Sequence, residues 1–308
     1  QWGLPFLPIR VINKACKGLD VKVISVYHNQ VDTNGKLKAA DLAIEHCTYP
    51  ILKPILHLRR VLVKAITSYS MKYVYHHSDI YEVLSPSFIE LFKTFTGIKN
   101  PKKLVVQTNP ITIEMPEVPL EIELQNKQRE IIYVGRLDFI QKRVHRIIDT
   151  WNYLEEQNPD WRLTIVGDGS DRQNLEQYVK SLGLKNVCFE GFRNPVEYYK
   201  RASILMLTSD FEGFGLVIIE AMAYGIVPFV YGSYPAVYDI IDDGKDGIII
   251  PFHKDGYRPD EAAGMAANIM SNDEKRNRMA LAAIEKSRKF SVGSIMKEWI
   301  KVFIGLKL

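Results

Sequence analysis

From Arg129 onward the chain alternates short β-branched runs with amphipathic helical stretches, and few folds accommodate that pattern. The runs Ile131–Val134, Leu163–Val166, Val187–Phe189, Ile204–Leu207, Val227–Val230 and Ile248–Ile250 read as buried parallel strands. Between them, Ile147, Ile148, Trp151 and Leu154 share one helix face, and Leu175, Tyr178, Val179 and Leu182 share another. The alternation predicts a doubly wound α/β domain. Such sheets bind ligands beyond the carboxyl ends of their strands, so the turns leaving these runs are where chemistry is expected.

The region before Arg129 is less regular. Asp20–Tyr27, Ile80–Leu84 and Lys103–Val106 read as strands, with helical stretches near Pro5–Cys16, Ile51–His77 and Pro86–Phe95. This is the pattern of a Rossmann-type domain with too few strands. Pro110, Pro116 and Pro119, followed by acidic and polar residues up to Gln128, read as a linker. The expected division is a first domain with linker over 1–127, a second domain over 128–290 and a last helix over 291–308.

Composition closes off several function classes. A net charge of +4 over 308 residues is too balanced for nucleic acid to be the main partner. The cysteines Cys16, Cys47 and Cys188 are scattered, which suits a reducing, cytoplasmic setting without a disulfide framework. No apolar run approaches the roughly 18 residues that a membrane span needs. No Asp-x-Asp pair is present to hold a divalent metal.

Four turns of the second domain carry candidate chemistry. In Tyr133–Lys142 a strand ends at Gly135, and Arg136 and Lys142 flank the turn into the next helix. Two cations there can neutralise a diphosphate, although isolated surface cations are usually only solvated. In Thr164–Ser170, Gly167 and Gly169 allow a tight strand-to-helix turn, and no third glycine follows at dinucleotide spacing. In Ser209–Val230, Glu212 stands in a glycine turn and Glu220 about two turns inside the next helix, with seven residues between them. Gly213, Phe214, Gly215 and Leu216 bring backbone amides to that helix N-terminus, an anion site. Glu220 lies among apolar residues and needs a partner, whether a neighbouring side chain or ribose hydroxyls. The fourth turn, Gly232–Asp239 with Asp243–Gly247, reads as structural.

These residues resemble the retaining glycosyltransferases of the GT-B fold, family 4. The resemblance rests on Glu212-x7-Glu220, on Gly135-Arg136-Leu137 with Lys142, on Val166-Gly-Asp-Gly169 running on to Phe189-Glu-Gly191, and on the strand ending in His28. It extends over nearly the whole chain. It implies two Rossmann-like domains facing a cleft and a last helix, 291–308, that crosses back to the first domain. Arg136 and Lys142 would hold the donor diphosphate, Glu212 the transferred sugar, Glu220 the ribose, and His28 the donor sugar. Phe192 and Arg193, after the strand beside the nucleobase, are the base-contact candidates. Ser85 and Asn109 match positions that shape the family's cleft. Asp239 falls where the family usually has glutamate, which weakens any binding role for it. The family's first domain begins with further strands and a glycine-rich loop that nothing before Gln1 supplies, so an incomplete N-terminal domain is expected.

The implied reaction is metal-independent transfer of a sugar from a nucleoside-diphosphate sugar, UDP favoured, with retained configuration and no further cofactor. The acceptor is a glycan or a lipid-linked one, as in cell-surface polysaccharide synthesis. An epimerase that binds the same nucleotide, or a non-catalytic assembly module, is the alternative. Residues 51–78 carry Lys53, Arg59, Arg60, Lys64 and Lys72 and no acid. Such a helix can lie peripherally on the inner face of an anionic membrane, but a solvated face on a core helix is the commoner explanation.

Overall fold

The computed structural model describes residues 6–116, 124 and 127–306. The chain divides into two compact units, one of Gln1–Asn109, Phe211–Phe214 and Ile295–Leu308, the other of Pro110–Asp210 and Gly215–Ser294.

The second unit is a doubly wound α/β sheet. Its strands are β4 (Glu130–Val134), β5 (Arg162–Val166), β6 (Val187–Gly191), β7 (Ile204–Leu207), β8 (Val227–Tyr231) and β9 (Ile248–Ile250). They lie in the order β6-β5-β4-β7-β8-β9, and all pairings are parallel. Every residue of β4, β7, β8 and β9 is buried, which is why these strands read as unbroken apolar runs rather than alternating ones. The order reverses between β4 and β7, so the turns leaving those two strands flank the switch point where such sheets hold ligands. Helices His145–Asn152 and Arg172–Ser181 occupy the stretches expected, with Ile147, Ile148, Trp151, Leu175 and Val179 buried. Leu154 and Leu182 fall just past the helix ends.

β4 also buries a charge. Glu130 accepts bonds from Arg201 at 2.8 and 3.1 Å and from Thr164 Oγ1 at 2.5 Å, and Arg162 Nε lies 3.1 Å away. A buried carboxylate is tolerable only with such partners. Burial pushes the Glu130 carboxyl up, but the bonds from Arg201, Thr164 and Arg162 outweigh it and leave it below its ordinary value.

The first unit has a smaller parallel sheet in the order β1-β2-β3, where β1 is Ile24–Tyr27, β2 is Ile80–Val83 and β3 is Leu104–Val106. The strands are shorter than the sequence suggests, above all β1, which begins at Ile24 rather than Asp20. Asp79 Oδ2 caps the amide of Val23 at 2.7 Å just ahead of it. Tyr75, Tyr81 and Phe92 form one aromatic cluster, with centroids 5.3–6.2 Å apart. The expected helix over Ile51–His77 is a 3-10 turn, Pro50–Leu52, followed by an α-helix, Lys53–His76. Pro54 sits in its first turn, where a missing N–H costs nothing.

Candidate functional site

Glycines crowd the carboxyl end of the second sheet. A Cβ on Gly167 would overlap the carbonyl oxygen of Gly135, and one on Gly169 would overlap that of Leu137. The backbone is tied across this edge by Gly135 N to Val166 O at 3.0 Å and Leu137 N to Asp168 O at 2.9 Å. Gly167 therefore has a packing reason to be glycine, and its φ of 142° is one that side chains rarely adopt.

The Arg136–Lys142 turn that leaves β4 is organised by Asp138. Its Oδ2 accepts from Arg136 Nε at 2.7 Å, and its Oδ1 accepts the amides of Gln141 at 2.6 Å and Lys142 at 3.3 Å. Burial raises the Asp138 carboxyl, but the Gln141 amide, Arg136 and the Lys142 amide pull it below its usual range. Tyr133 Oη donates to the Arg136 carbonyl at 2.7 Å, and Arg136 also donates to Gln141 Oε1 at 3.1 Å. The Arg136 side chain stays largely exposed. Asp138 thus fixes both the backbone of the turn and the direction of one of its two cations.

A second clamp holds the same turn from β7. Asp210 accepts from Arg143 Nε at 2.9 Å and Arg146 at 2.7 Å, and its own amide donates to the Gln141 carbonyl at 2.8 Å. Arg143 has a φ of 51°, a strained choice for a non-glycine residue that this ion pair holds in place. Arg146 lies over the rings of Tyr231 and Tyr257, 5.2 and 5.6 Å from their centroids. Between these arginines His145 is driven down to about 4 by burial, Arg146 and Arg143, so its ring is neutral at ordinary pH.

Glu220 lies in the Leu216–Ala223 helix, whose N-cap, Gly215, is left-handed with φ 95°. The helix starts at Leu216, so Glu220 is little more than one turn inside it, not two. It is buried, and Tyr199 Oη donates to its Oε2 at 3.1 Å. Burial raises its pKa, and the Tyr199 bond offsets part of that rise. The partner that a buried carboxylate demands is thus, in part, a tyrosine from the helix Val196–Arg201. Phe192 and Arg193 stand exposed on the turn after β6; at 88% exposure Phe192 is no core residue.

The remaining candidates belong to the first unit, which includes Phe211–Phe214. Glu212 is buried, as is Phe214. Gly213 packs so tightly against the His28 peptide that a Cβ there would overlap the His28 carbonyl oxygen. The His28 ring is exposed, and the desolvation its neighbours impose lowers its pKa.

Sequence reasoning missed Asp138, Asp210, Arg143, Arg146 and Tyr199. Asp138 left a signal, since an aspartate three and four residues before two turn amides is a common cap. The Asp210 pairs, 64 and 67 residues away, left none.

The family described as "Glycosyl transferases group 1" matches residues 116–286. Among curated relatives, a Campylobacter jejuni protein named as a GalNAc-alpha-(1->4)-GalNAc-alpha-(1->3)-diNAcBac-PP-undecaprenol alpha-1,4-N-acetyl-D-galactosaminyltransferase is 26% identical over 274 residues, 88% of this chain and 70% of that protein. A Salmonella typhimurium lipopolysaccharide 1,6-galactosyltransferase is 32% identical over 145 residues, 45% of this chain and 39% of its own. Among solved structures, Staphylococcus aureus TarM, crystallised with UDP, matches with a TM-score of 0.72 at 17% identity over 96% of this chain and 54% of its own. Anabaena HepE in complex with UDP and glucose matches with a TM-score of 0.71 at 17% identity, covering 97% of this chain and 75% of its own. These two likenesses bear on the fold.

Proposed function

The chain belongs to the glycosyl transferases group 1 family, and from that premise we propose that it is a retaining, metal-independent glycosyltransferase. It moves a sugar from a nucleoside diphosphate, UDP favoured, to a glycan or lipid-linked acceptor in cell-surface polysaccharide synthesis. The α/β architecture is that of GT-B glycosyltransferases. The observation that carries the reading is the Arg136–Lys142 turn, held rigid at the switch point of the second sheet by Asp138 and Asp210.

When the glycosidic bond to the donor breaks, negative charge grows on the diphosphate. Arg136 and Lys142 would meet it, together with the amide at the start of the Leu216–Ala223 helix. Preorganised donors of this kind are each worth a factor of about 10² to 10³ in rate. Because Asp138 already fixes the turn, little reorganisation accompanies charge development. Glu220, half-satisfied by Tyr199, would take the ribose hydroxyls as its remaining partners. Phe192 and Arg193 are the base contacts, Glu212 orients the sugar, and His28 contacts it. The acceptor class is supported by the relatives named above, whose names refer to an undecaprenol-linked glycan and to lipopolysaccharide.

The test is a thermal-shift series with UDP, GDP and ADP, followed by donor hydrolysis and transfer. A ligand at a hundred times its Kd stabilises by about 2.7 kcal/mol, well within detection. UDP is expected to give the largest shift. Absence of a shift with all three would overturn the reading; turnover of the donor without an acceptor to a new epimer would replace it with an epimerase.

A further inference from the structure

The helix Lys53–His76 turns an apolar stripe outward. Ile55, Leu58, Leu62, Ile66 and Tyr69 follow one another at steps of three or four residues, so they share one face, and all are 53–64% exposed. In the second half of the helix Met71, Val74 and Tyr75 face the rest of the first unit and are buried. The stripe is therefore not the core face of an amphipathic helix, which is what the commoner reading of this sequence would require. Isolated exposed apolar residues are ordinary, but a row of five in register is not.

Along the helix itself the charge has one sign. From Ile51 to Ser78 there are five Lys and Arg residues and no Asp or Glu. Arg60 is paired with Asp41, and Lys64, although 6.0 Å from the Phe95 ring, is exposed. Lys53 and Arg59 remain exposed. Arg59 stands four residues after Ile55 and three before Leu62, at the edge of the stripe. Exposed Tyr49 precedes the helix and Tyr69 closes the stripe, so both ends carry an amphipathic ring suited to a headgroup layer.

We propose that this face docks on an anionic lipid bilayer, lying in the plane of the interface. Ile55 to Tyr69 spans about 21 Å at 1.5 Å per residue, with cations along it. No helix among the described residues is long and apolar enough to cross a membrane. A partly apolar, wholly cationic helix of this length fits the interfacial mode, in which the apolar row enters the acyl boundary and the cations meet lipid phosphates. A second copy of this chain would also cover the apolar row, but it would bring identical cations to the same place. The charge therefore favours lipid. The proposal is independent of the transfer reaction and is read without any donor.

The experiment is sedimentation of the 308-residue chain with phosphatidylglycerol–phosphatidylcholine vesicles, with pure phosphatidylcholine vesicles in parallel. Binding is expected to the anionic vesicles, weaker by about tenfold or more on the neutral ones and weaker again with added salt. Leu62→Glu is expected to lower it by about tenfold or more, and Arg59→Glu by about tenfold. Both side chains are exposed, so circular dichroism melts should match wild type; should Leu62→Glu misfold, Arg59→Glu carries the test. Failure of the wild-type chain to bind, or equal binding by wild type and Arg59→Glu, overturns the proposal. So does a dimer by light scattering that Leu62→Glu converts to monomer while vesicles capture neither form.

Discussion

Glu130 in β4 and Glu82 in β2 are both fully buried strand glutamates, one in each unit, and only Glu130 has its partners. Glu130 is held by Arg201, Arg162 and Thr164 and titrates below its ordinary value. Neither carboxylate oxygen of Glu82 has a hydrogen-bond partner among the described residues, and burial pushes it up to about 7. The six-stranded sheet thus satisfies the charge it buries, while the three-stranded sheet holds a carboxyl that folding would keep protonated. The same contrast runs through the candidate site. In the second unit the turn with Arg136 is clamped twice, by Asp138 and Asp210, whereas the first unit offers an exposed His28 and an uncovered apolar stripe.

The largest effect is expected at the clamped turn. Arg136→Ala is expected to lower transfer by about 10² to 10³, or about 3–4 kcal/mol in the barrier, with an unchanged melting temperature. Near-normal steady-state rates would remove the turn from the chemistry. Next in size is Glu130→Gln, which leaves Arg201 and Arg162 facing a neutral amide and should cost about 3 kcal/mol in urea unfolding at pH 7. Because the native pKa of Glu130 is depressed, its stabilisation is present above the unfolded value and should fade as pH drops through the native one.

Glu82 should behave in the opposite sense. A carboxyl with a raised native pKa binds its proton more tightly when folded, so its contribution is lost as pH climbs from 4.5 through about 7. Glu82→Gln should therefore stabilise the chain at pH 8, by on the order of 3 kcal/mol, and change little at pH 4. Equal unfolding midpoints for wild type and variant at pH 8 would mean that Glu82 finds a partner. The smallest effect is expected at Tyr199→Phe, which removes one bond to Glu220. About 1.5 kcal/mol of stability should go, and UDP affinity by calorimetry should fall several-fold as the carboxylate loses its orientation. Unchanged affinity would separate Glu220 from the nucleotide.

Much of the second unit was legible in advance because buried parallel strands announce themselves as short apolar runs. Ile204–Leu207 and Ile248–Ile250 match residue for residue, and the other four strands extend by one or two residues. β1 was harder. Val21 and Val23 continue its alternation, yet pairing with β2 begins only at Ile24, opposite Ile80. The depth of Glu220 was misjudged because helix starts depend on where the chain caps, and Gly215 caps later than Gly213 suggested. Nothing in the strand Ile80-Tyr-Glu-Val83 marks its glutamate as partnerless.

By itself the sequence determined the strand–helix rhythm, the order in which turns reach the carboxyl edge of the second sheet, and the residue types placed there. Those follow from local periodicity and from backbone sterics at glycine. That Asp210 joins Asp138 in clamping the cationic turn, which tyrosine satisfies Glu220, and which face of the Lys53–His76 helix is left exposed were decided only in three dimensions. Hydrogen bonds and burial are settled between residues tens of positions apart, where sequence spacing carries no information about distance.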